Sequence, residues 1–296
     1  MWSNFNAMPP AFKTVALIGR YNTAEIAESL LGLARLLEQR GCAVLIEKET
    51  ATNIGGNSFS VGDFGVIGAK ANLAVVLGGD GSMLSAARQL ASHGVPLVGV
   101  NQGRLGFMTD IALSSMRDTV DQLLTGEYTV EDRVMLHARV EREDREFFST
   151  EALNDIVVNK GATGRMIEFL VHIDGQFVYD LRADGIIVAT PTGSTAYALS
   201  SNGPILQPNV PGLVVVPVCP HTLSNRPITV SDRCVIEITI KRAAGARLHF
   251  DGQPQAELEA RDKVTLRRAA HTIRFVHPPG YSYYAMLREK LHWSEM

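Results

Sequence analysis

An apolar run, Leu73 to Leu77, opens straight into Gly78-Gly79-Asp80-Gly81-Ser82 and then into a helical period, Ser82 to His93, that closes at Gly94. A short apolar run bounded by turn residues predicts a buried strand, and strand, tight turn and helix in that order form half of a parallel crossover unit. The turn then sits at the strand's carboxyl end, the edge at which open α/β sheets bind ligands. Two glycines before the acid and one after it leave no Cβ between the main chain and an approaching phosphate. The N–H groups of Gly81 and Ser82 would open the helix and offer an anion site. One segment thus supplies a carboxylate able to take a hydroxyl proton and a cradle for phosphate, the two parts that phosphoryl transfer to a hydroxyl needs. The plainer reading is that Asp80 only caps the helix; glycine on both sides is more than a cap requires.

The surrounding residues repeat the pattern. Thr14 to Gly19 is a β-rich apolar run; Thr23 to Gln39 puts Ile26, Leu30, Leu33 and Leu37 on one helical face, and Gly41 ends that helix. Ala43 to Glu47 and Pro96 to Val100 are further strands, and Ser114 to Leu124 a helix ended by Gly126. Strands spaced by helices imply a parallel sheet. Asn53 to Lys70 breaks the pattern, holding Gly55, Gly56, Gly62, Gly65 and Gly68 without strong periodicity, and is expected to be a mobile loop over the site.

After Tyr128 the texture changes to short runs: Met135 to Val140, Ala152 to Val158, Met166 to Ile173, Gln176 to Leu181, Gly185 to Ala189, Leu213 to Val218, Cys234 to Ile240, Arg247 to Phe250, Lys263 to Leu266 and Ile273 to Val276. Many short strands with Gly, Pro and Asp turns predict a mostly antiparallel domain, sandwich-like or layered, with Glu141 to Glu146 as a solvated hairpin tip. The expected organisation is an α/β and all-β combination: residues 1–127 a Rossmann-like parallel α/β domain, 128–278 a β-sandwich-like domain, and 279–296 a closing segment. The helix of that segment, Tyr283 to Leu291, carries Leu287 and Leu291 on one face and returns to the first domain.

A chain of 296 residues with 46% hydrophobic content can bury a sizeable core, and 28 Lys and Arg against 31 Asp and Glu leave no basic excess for nucleic acid or an anionic membrane. Cys42, Cys219 and Cys234 are odd in number and widely spaced, which predicts free thiols in a reducing compartment. Residues Met1 to Pro10 lack a signal-peptide pattern, and apolar runs such as Gly212 to Val218 are too short to span a bilayer. A cytoplasmic protein is expected.

Further along, Leu17-Ile18-Gly19-Arg20-Tyr21-Asn22 lacks the G-x-G-x-x-G fingerprint, which disfavours an ordinary dehydrogenase. Asn101-Gln102-Gly103-Arg104-Leu105-Gly106-Phe107 is another polar, Gly-rich turn at a strand's carboxyl end. There Arg104 is placed to hold a phosphate and Phe107 to stack on a base or to be core. Asn154-Asp155 interrupts an apolar strand; neighbours on a regular strand point to opposite faces, so both reach one ligand only if the strand ends or bulges there. Asp184-Gly185 and then Thr190-Pro191-Thr192-Gly193-Ser194-Thr195-Ala196-Tyr197 follow; the second run places four hydroxyl side chains and an aromatic ring behind an apolar strand, suiting a ribose and base. His249 near Asp251 is expected to be a strand histidine hydrogen-bonded to its surroundings. The histidines form no H-x-x-x-H or H-E-x-x-H pattern, and a magnesium ion carried by a nucleotide would need few protein carboxylates.

With these residues in view, nearly the whole chain resembles the bacterial NAD kinases, which phosphorylate the 2′-hydroxyl of the adenosine ribose of NAD. The resemblance is carried by Gly78-Gly79-Asp80-Gly81, Asn101 to Phe107, Asn154-Asp155, Asp184-Gly185, Thr190 to Tyr197 and the ending Tyr281-Ser282-Tyr283-Tyr284 to Trp293. The Gly-Gly-Asp-Gly element alone is shared with diacylglycerol, sphingosine and phosphofructo-kinases; the Thr190 to Tyr197 run is much more specific. The resemblance implies that Asp80 accepts or orients the ribose proton, with Gly81 lining the same pocket, and that Asn154 and Asp155 hold ribose hydroxyls. It implies an adenine-side segment of Thr195, Ala196, Tyr197 and Ser200, and an Asp184 that reaches NAD in a neighbouring subunit of a homodimer or homotetramer. Arg165, Arg182 and Gln253 fall at further NAD contacts. Arg182 stands where members accepting polyphosphate have a small residue, which implies ATP, with Mg²⁺, as the donor. Asp155 stands where many members have Glu, a shorter reach with the same charge. The rival readings are a lipid or sugar kinase of the same superfamily and a non-catalytic NAD(H) sensor.

Overall fold

The structure, a computed structural model, describes residues 11–19, 24–55, 58–103, 106–161, 164–222 and 224–293. Arg20, Tyr21, Asn22, Gly56, Arg104 and Leu105, all invoked above, lie outside them. The chain forms two compact units, Met1–Asp132 with Ile273–Met296, and Arg133–Thr272.

In the first unit β1 (Thr14–Gly19), α1 (Ala24–Gln39), β2 (Ala43–Glu47), α2 (Lys48–Ile54), β3 (Ser60–Gly62), α3 (Phe64–Lys70), β4 (Leu73–Leu77), α4 (Asp80–Leu90), β5 (Leu97–Asn101), β6 (Ile111–Ala112) and α5 (Met116–Leu124) follow one another. The strands are parallel in the order β3-β2-β1-β4-β5, with β6 on β5. All of β4 and β5 is buried, which is why both read as continuous apolar runs: a parallel sheet is covered on both faces. Leu30, Leu33 and Leu37 of α1 and Val120 and Leu123 of α5 pack with Val15, Leu17, Val75 and Val98 on one face. Truncating such a leucine to alanine costs about 2–5 kcal/mol.

The described residues of 53–70 form the end of α2, strand β3 and helix α3 where a mobile loop is expected. The Asp63 side chain accepts the Val66 N–H at 2.9 Å and caps α3, and Ile67 is fully buried. The glycines serve close packing rather than freedom: a Cβ at Gly68 would collide with the His93 ring, and one at Gly62 with Val66.

The second unit, Arg133–Thr272, is built from most of β7 (Thr129–Arg142), β8 (Arg145–Ala152), β9 (Asp155–Asn159), β10 (Ile167–Ile173), β11 (Gln176–Ala183), β12 (Gly185–Ala189), α6 (Tyr197–Ser200), β13 (Gly212–Val218), β14 (Ile228–Ser231), β15 (Ile236–Arg242), β16 (Arg247–Phe250), β17 (Gln253–Glu257) and the first ten residues of β18 (Lys263–His277). Neighbours β11-β10-β15-β18-β7-β8 form one layer and β14-β13-β12-β9-β16-β17 the other. Leu136, Phe169, Ile186, Val215, Leu248 and Leu266 close a common core between them, making a β-sandwich. In β12 alternate residues divide: Ile186 and Val188 join this core, while Ile187 and Ala189 pack outward with Ala198 of α6. The two strands expected at 263–266 and 273–276 are the ends of the single strand β18; its polar middle stays in the ladder, where Arg268 pairs with the buried Asp232 at 2.6 Å.

The chain ends in α7 (Tyr283–Leu291), capped by the Ser282 side chain, with Met286 and Leu287 buried. Just before it, Tyr281 stacks on His277 with ring centroids 3.7 Å apart, and the His277 ring nitrogens lie 2.5 Å from Asp110 Oδ2 and 3.1 Å from Glu131 Oε2. These groups tie 273–296 into the first unit. Cys42, Cys219 and Cys234 are free thiols. Among the described residues no helix is long and apolar enough to cross a membrane.

Candidate active site

Asp80 is the first residue of α4, not its cap. The N-cap is Gly79, which makes no side-chain bond, and the Asp80 carboxylate accepts the N–H groups of Phe107 and Met108, each at 3.0 Å. The capping alternative is therefore excluded: the acid is held by a segment 27 and 28 residues away. Two amides occupy two of the roughly four lone-pair positions of a carboxylate and leave the others for a ligand. Ser82 N–H donates to Gly79 O at 2.9 Å and is committed within the turn, contrary to the expectation that it faces an anion. Gly81 N–H has no partner among the described residues.

The segment that holds Asp80 is folded by its own polar groups. Buried Asn101 donates from Nδ2 to Ile111 O at 3.1 Å and accepts the Gly103 N–H at 3.2 Å, while Gly106 N–H donates to Thr109 Oγ1 at 3.0 Å. A Cβ at Gly99 would collide with Met108 O, and one at Gly106 with Asp80 Oδ1. Phe107 is half-buried; its main-chain N–H, rather than its ring, makes the contact with Asp80.

In the second unit β8 stops at Ala152 and β9 starts at Asp155, so the strand ends where Asn154 and Asp155 would otherwise point apart. The carboxylate of Asp251 accepts the N–H groups of Leu153, Asn154 and Asp155 across this break at 3.2, 2.7 and 3.3 Å. Asn154 is buried, and its Oδ1 has no hydrogen-bond partner among the described residues. An acceptor left unmade in that way costs about 1–3 kcal/mol until a donor arrives. Asp155 is 4% exposed, and burial first, then the charge of Asp251, pushes its carboxyl up to about 7.

The run after β12 packs on the same break. Thr190 donates from Oγ1 to Leu153 O at 2.5 Å and from N to Asn154 O at 2.9 Å, and a Cβ at Gly193 would collide with the Asn154 main chain. Thr190, Thr192 and Ser194 are buried: Ser194 Oγ donates to Pro191 O, and Thr192 Oγ1 accepts from the buried Arg133 Nη1 at 3.3 Å. Most hydroxyls of the run, expected as donors and acceptors for a ribose and base, therefore hold the loop together. Thr195 and Ala196 are half-buried and Tyr197 and Ser200 exposed. Burial, then the neighbouring Cys219, Asp155 and Asp184, pushes the Tyr197 hydroxyl up.

Asp184, half-buried, pairs with Lys160 at 2.8 Å. Arg165 and Arg182 are exposed, and Gln253 is exposed at the start of β17. His249 lies on β16, but its Nε2 is buried without a hydrogen-bond partner among the described residues, correcting the expected bonded histidine; burial, then Arg247, lowers its pKa. Sequence reasoning missed Asp251, Arg133 and Gly193 as builders of the site. Asp251-Gly252 is a dipeptide typical of hairpin turns and points to the turn, though not to what the carboxylate reaches.

A Gly-Gly-Asp-Gly turn at the carboxyl edge of a parallel sheet, its acid fixed by main-chain amides, is the arrangement that a phosphotransferase acting on a hydroxyl needs. The ATP-NAD kinase N-terminal domain matches residues 15–128 and the ATP-NAD kinase C-terminal domain residues 153–278. The chain is 55% identical over 295 residues to the NAD kinase of Aromatoleum aromaticum, covering 99% of this chain and 98% of that one. It is 52% identical over 288 residues to the NAD kinase of Chromobacterium violaceum, covering 97% and 99%. A crystal structure of yeast NADH kinase complexed with NADH superposes with a TM-score of 0.89 at 25% identity, over 97% of this chain and 89% of that one. An Archaeoglobus fulgidus NAD kinase crystallised with ATP shares the fold at a TM-score of 0.73 and 22% identity, over 94% and 98%. The chain belongs to the ATP-NAD kinase family, and as such it is a transferase that phosphorylates NAD.

Proposed function

We propose that the chain transfers the γ-phosphoryl group of ATP to the 2′-hydroxyl of the adenosine ribose of NAD, with Asp80 as the base. The observation that carries this reading is the state of Asp80: its two oxygens are each held by one amide and each retains a lone pair for a hydroxyl proton. The glycines beside it support a phosphate neighbour. Gly78 is required by the protein itself, since a Cβ there would collide with Ser82. Gly79 and Gly81 are not: neither has positive φ, and a Cβ on either would meet nothing within 4 Å. What those two leave open is room for a ligand to approach the helix start.

On the acceptor side, Asn154 Oδ1 awaits a donor of the kind a ribose hydroxyl supplies, and Asp155 beside it offers carboxylate oxygens. Thr195, Ala196, Tyr197 and Ser200 present the adenine side; Arg165, Arg182 and Gln253 are exposed and available to the rest of the dinucleotide. Phe107 and Gly81 line the pocket next to Asp80. A magnesium ion bound to the triphosphate would neutralise its charge and needs few protein ligands. Positioning and electrostatics then carry most of the rate. We place the enzyme in the cytoplasm as a homodimer or homotetramer in which Asp184 reaches a neighbouring subunit's NAD.

Incubation with NAD, ATP and Mg²⁺ should yield NADP and ADP in equal amounts, with the new phosphate on the 2′-oxygen by phosphorus NMR. Polyphosphate in place of ATP should give no NADP, in keeping with Arg182. Tight NAD binding without ATP-dependent NADP formation would overturn the proposal.

A further inference from the structure

The β16–β17 hairpin turns on Asp251 and Gly252, with φ of 45° and 77°, between the paired Phe250 and Gln253. Positive φ at both central residues defines the two-residue turn that favours Asn or Asp followed by Gly. Turn chemistry therefore explains Asn at 251 as readily as Asp. It does not explain the reach of the carboxylate to three consecutive amides 96 to 98 residues earlier: Oδ1 to Asn154 and Asp155, Oδ2 to Leu153. The hairpin is locked in return by Asp251 N–H donating to Asp155 O at 3.0 Å.

We propose that Asp251 is a positioning residue of the NAD site, setting by its three amide bonds the break between β8 and β9 that presents Asn154 and Asp155 to the dinucleotide. This rests on the reading of Asn154 and Asp155 as ribose-holding residues. Without the carboxylate, nothing in the hairpin turn collects these amides, and residues 153–155, where the chain passes from the layer of β8 to that of β9, lose the bonds that fix which way Asn154 and Asp155 point. Asp251 also sets the charge environment of Asp155. The charge that acts on Asp155 is that of Asp251; His249 of β16 stands opposite Val157, two residues along β9, and from α6 Tyr197 senses the charge of Asp155.

Two variants of the full-length enzyme keep the turn: Asp251→Asn and Asp251→Gly. Their kcat, their KM for NAD and its pH profile on either side of about 7 separate positioning from mere turn formation. Asp251→Gly is expected to raise KM for NAD about tenfold with kcat little changed, the effect of losing about 1.4 kcal/mol of binding. In wild type, KM for NAD rises as pH falls through the Asp155 transition; in Asp251→Asn that rise moves to lower pH, because only burial then opposes ionisation. If both variants merely melt earlier, with wild-type KM and an unmoved profile, Asp251 is a turn residue and the proposal fails. The underlying reading is tested separately by Asp155→Asn: an unchanged KM for NAD in that variant removes the ribose assignment itself and the proposal with it.

Discussion

Gly106 lies against Asp80 so closely that a Cβ at position 106 would occupy the space of Asp80 Oδ1. The same Cβ would collide with Thr109 Oγ1, which accepts the Gly106 N–H. The contact lets the 106–108 main chain bring two amides onto the carboxylate. The glycine is thus a condition of the orientation of the Asp80 carboxylate, and it is required by contact.

Gly106→Ala should displace Asp80 and lower kcat by about 10²-fold, the scale of a roughly 1 Å misplacement in a catalytic group. KM for NAD should change much less, because the proposed dinucleotide contacts lie on the second unit. Steady-state kinetics separates the two.

Asp80→Asn should lose about 10²- to 10⁴-fold in kcat while NAD still binds, as expected for removal of a general base. Calorimetric NAD titration together with NADP formation is the check. A variant within a few-fold of wild type would end the assignment of Asp80 as base.

Asp155 makes stability pH-dependent in a definite direction. Its folded carboxyl is raised from the ordinary 3.8 to about 7, so the fold prefers the protonated form. The stability it contributes is fully present below the unfolded value and is lost as pH rises through about 7. The full shift corresponds to at most about 4 kcal/mol. Asp155→Asn should flatten this dependence: relative to wild type it should melt at a higher temperature at pH 8 than at pH 5, while binding NAD more weakly. Thermal denaturation at the two pH values checks the sign.

Gly193→Ala should be costly on both counts. The added methyl meets Asn154 main chain on a fully buried loop, so nothing flexible can yield. A loss of about 1–3 kcal/mol in stability, the usual scale of overpacking, should accompany a raised KM for NAD. Chemical denaturation and kinetics on the same preparation test both.

Much of this architecture was legible in short-range patterns. The buried strand Leu73–Leu77, the helical face of Leu30, Leu33 and Leu37, and the β-rich texture after Tyr128 follow from apolar runs, periodicity and turn residues, which are local properties. The misreadings share a cause. Gly62 and Gly68 were counted as freedom in a loop, yet they are small because Val66 and the His93 ring press on them. Residues 267–272 looked like a gap between strands because their polarity is answered elsewhere, Arg268 by Asp232.

The sequence by itself determined that a carboxylate and open glycines follow a buried strand, and, with the resemblance it carries, which family of kinases the chain joins. Only tertiary structure decided what holds that carboxylate and what shapes the Asn154-Asp155 break. Asp80 is fixed by amides 27 and 28 residues away and the break by a carboxylate 96 to 98 residues away. Main-chain N–H groups are the same at every position, so no side-chain pattern announces which of them a carboxylate will meet; that is settled when the strands pair and the loops close.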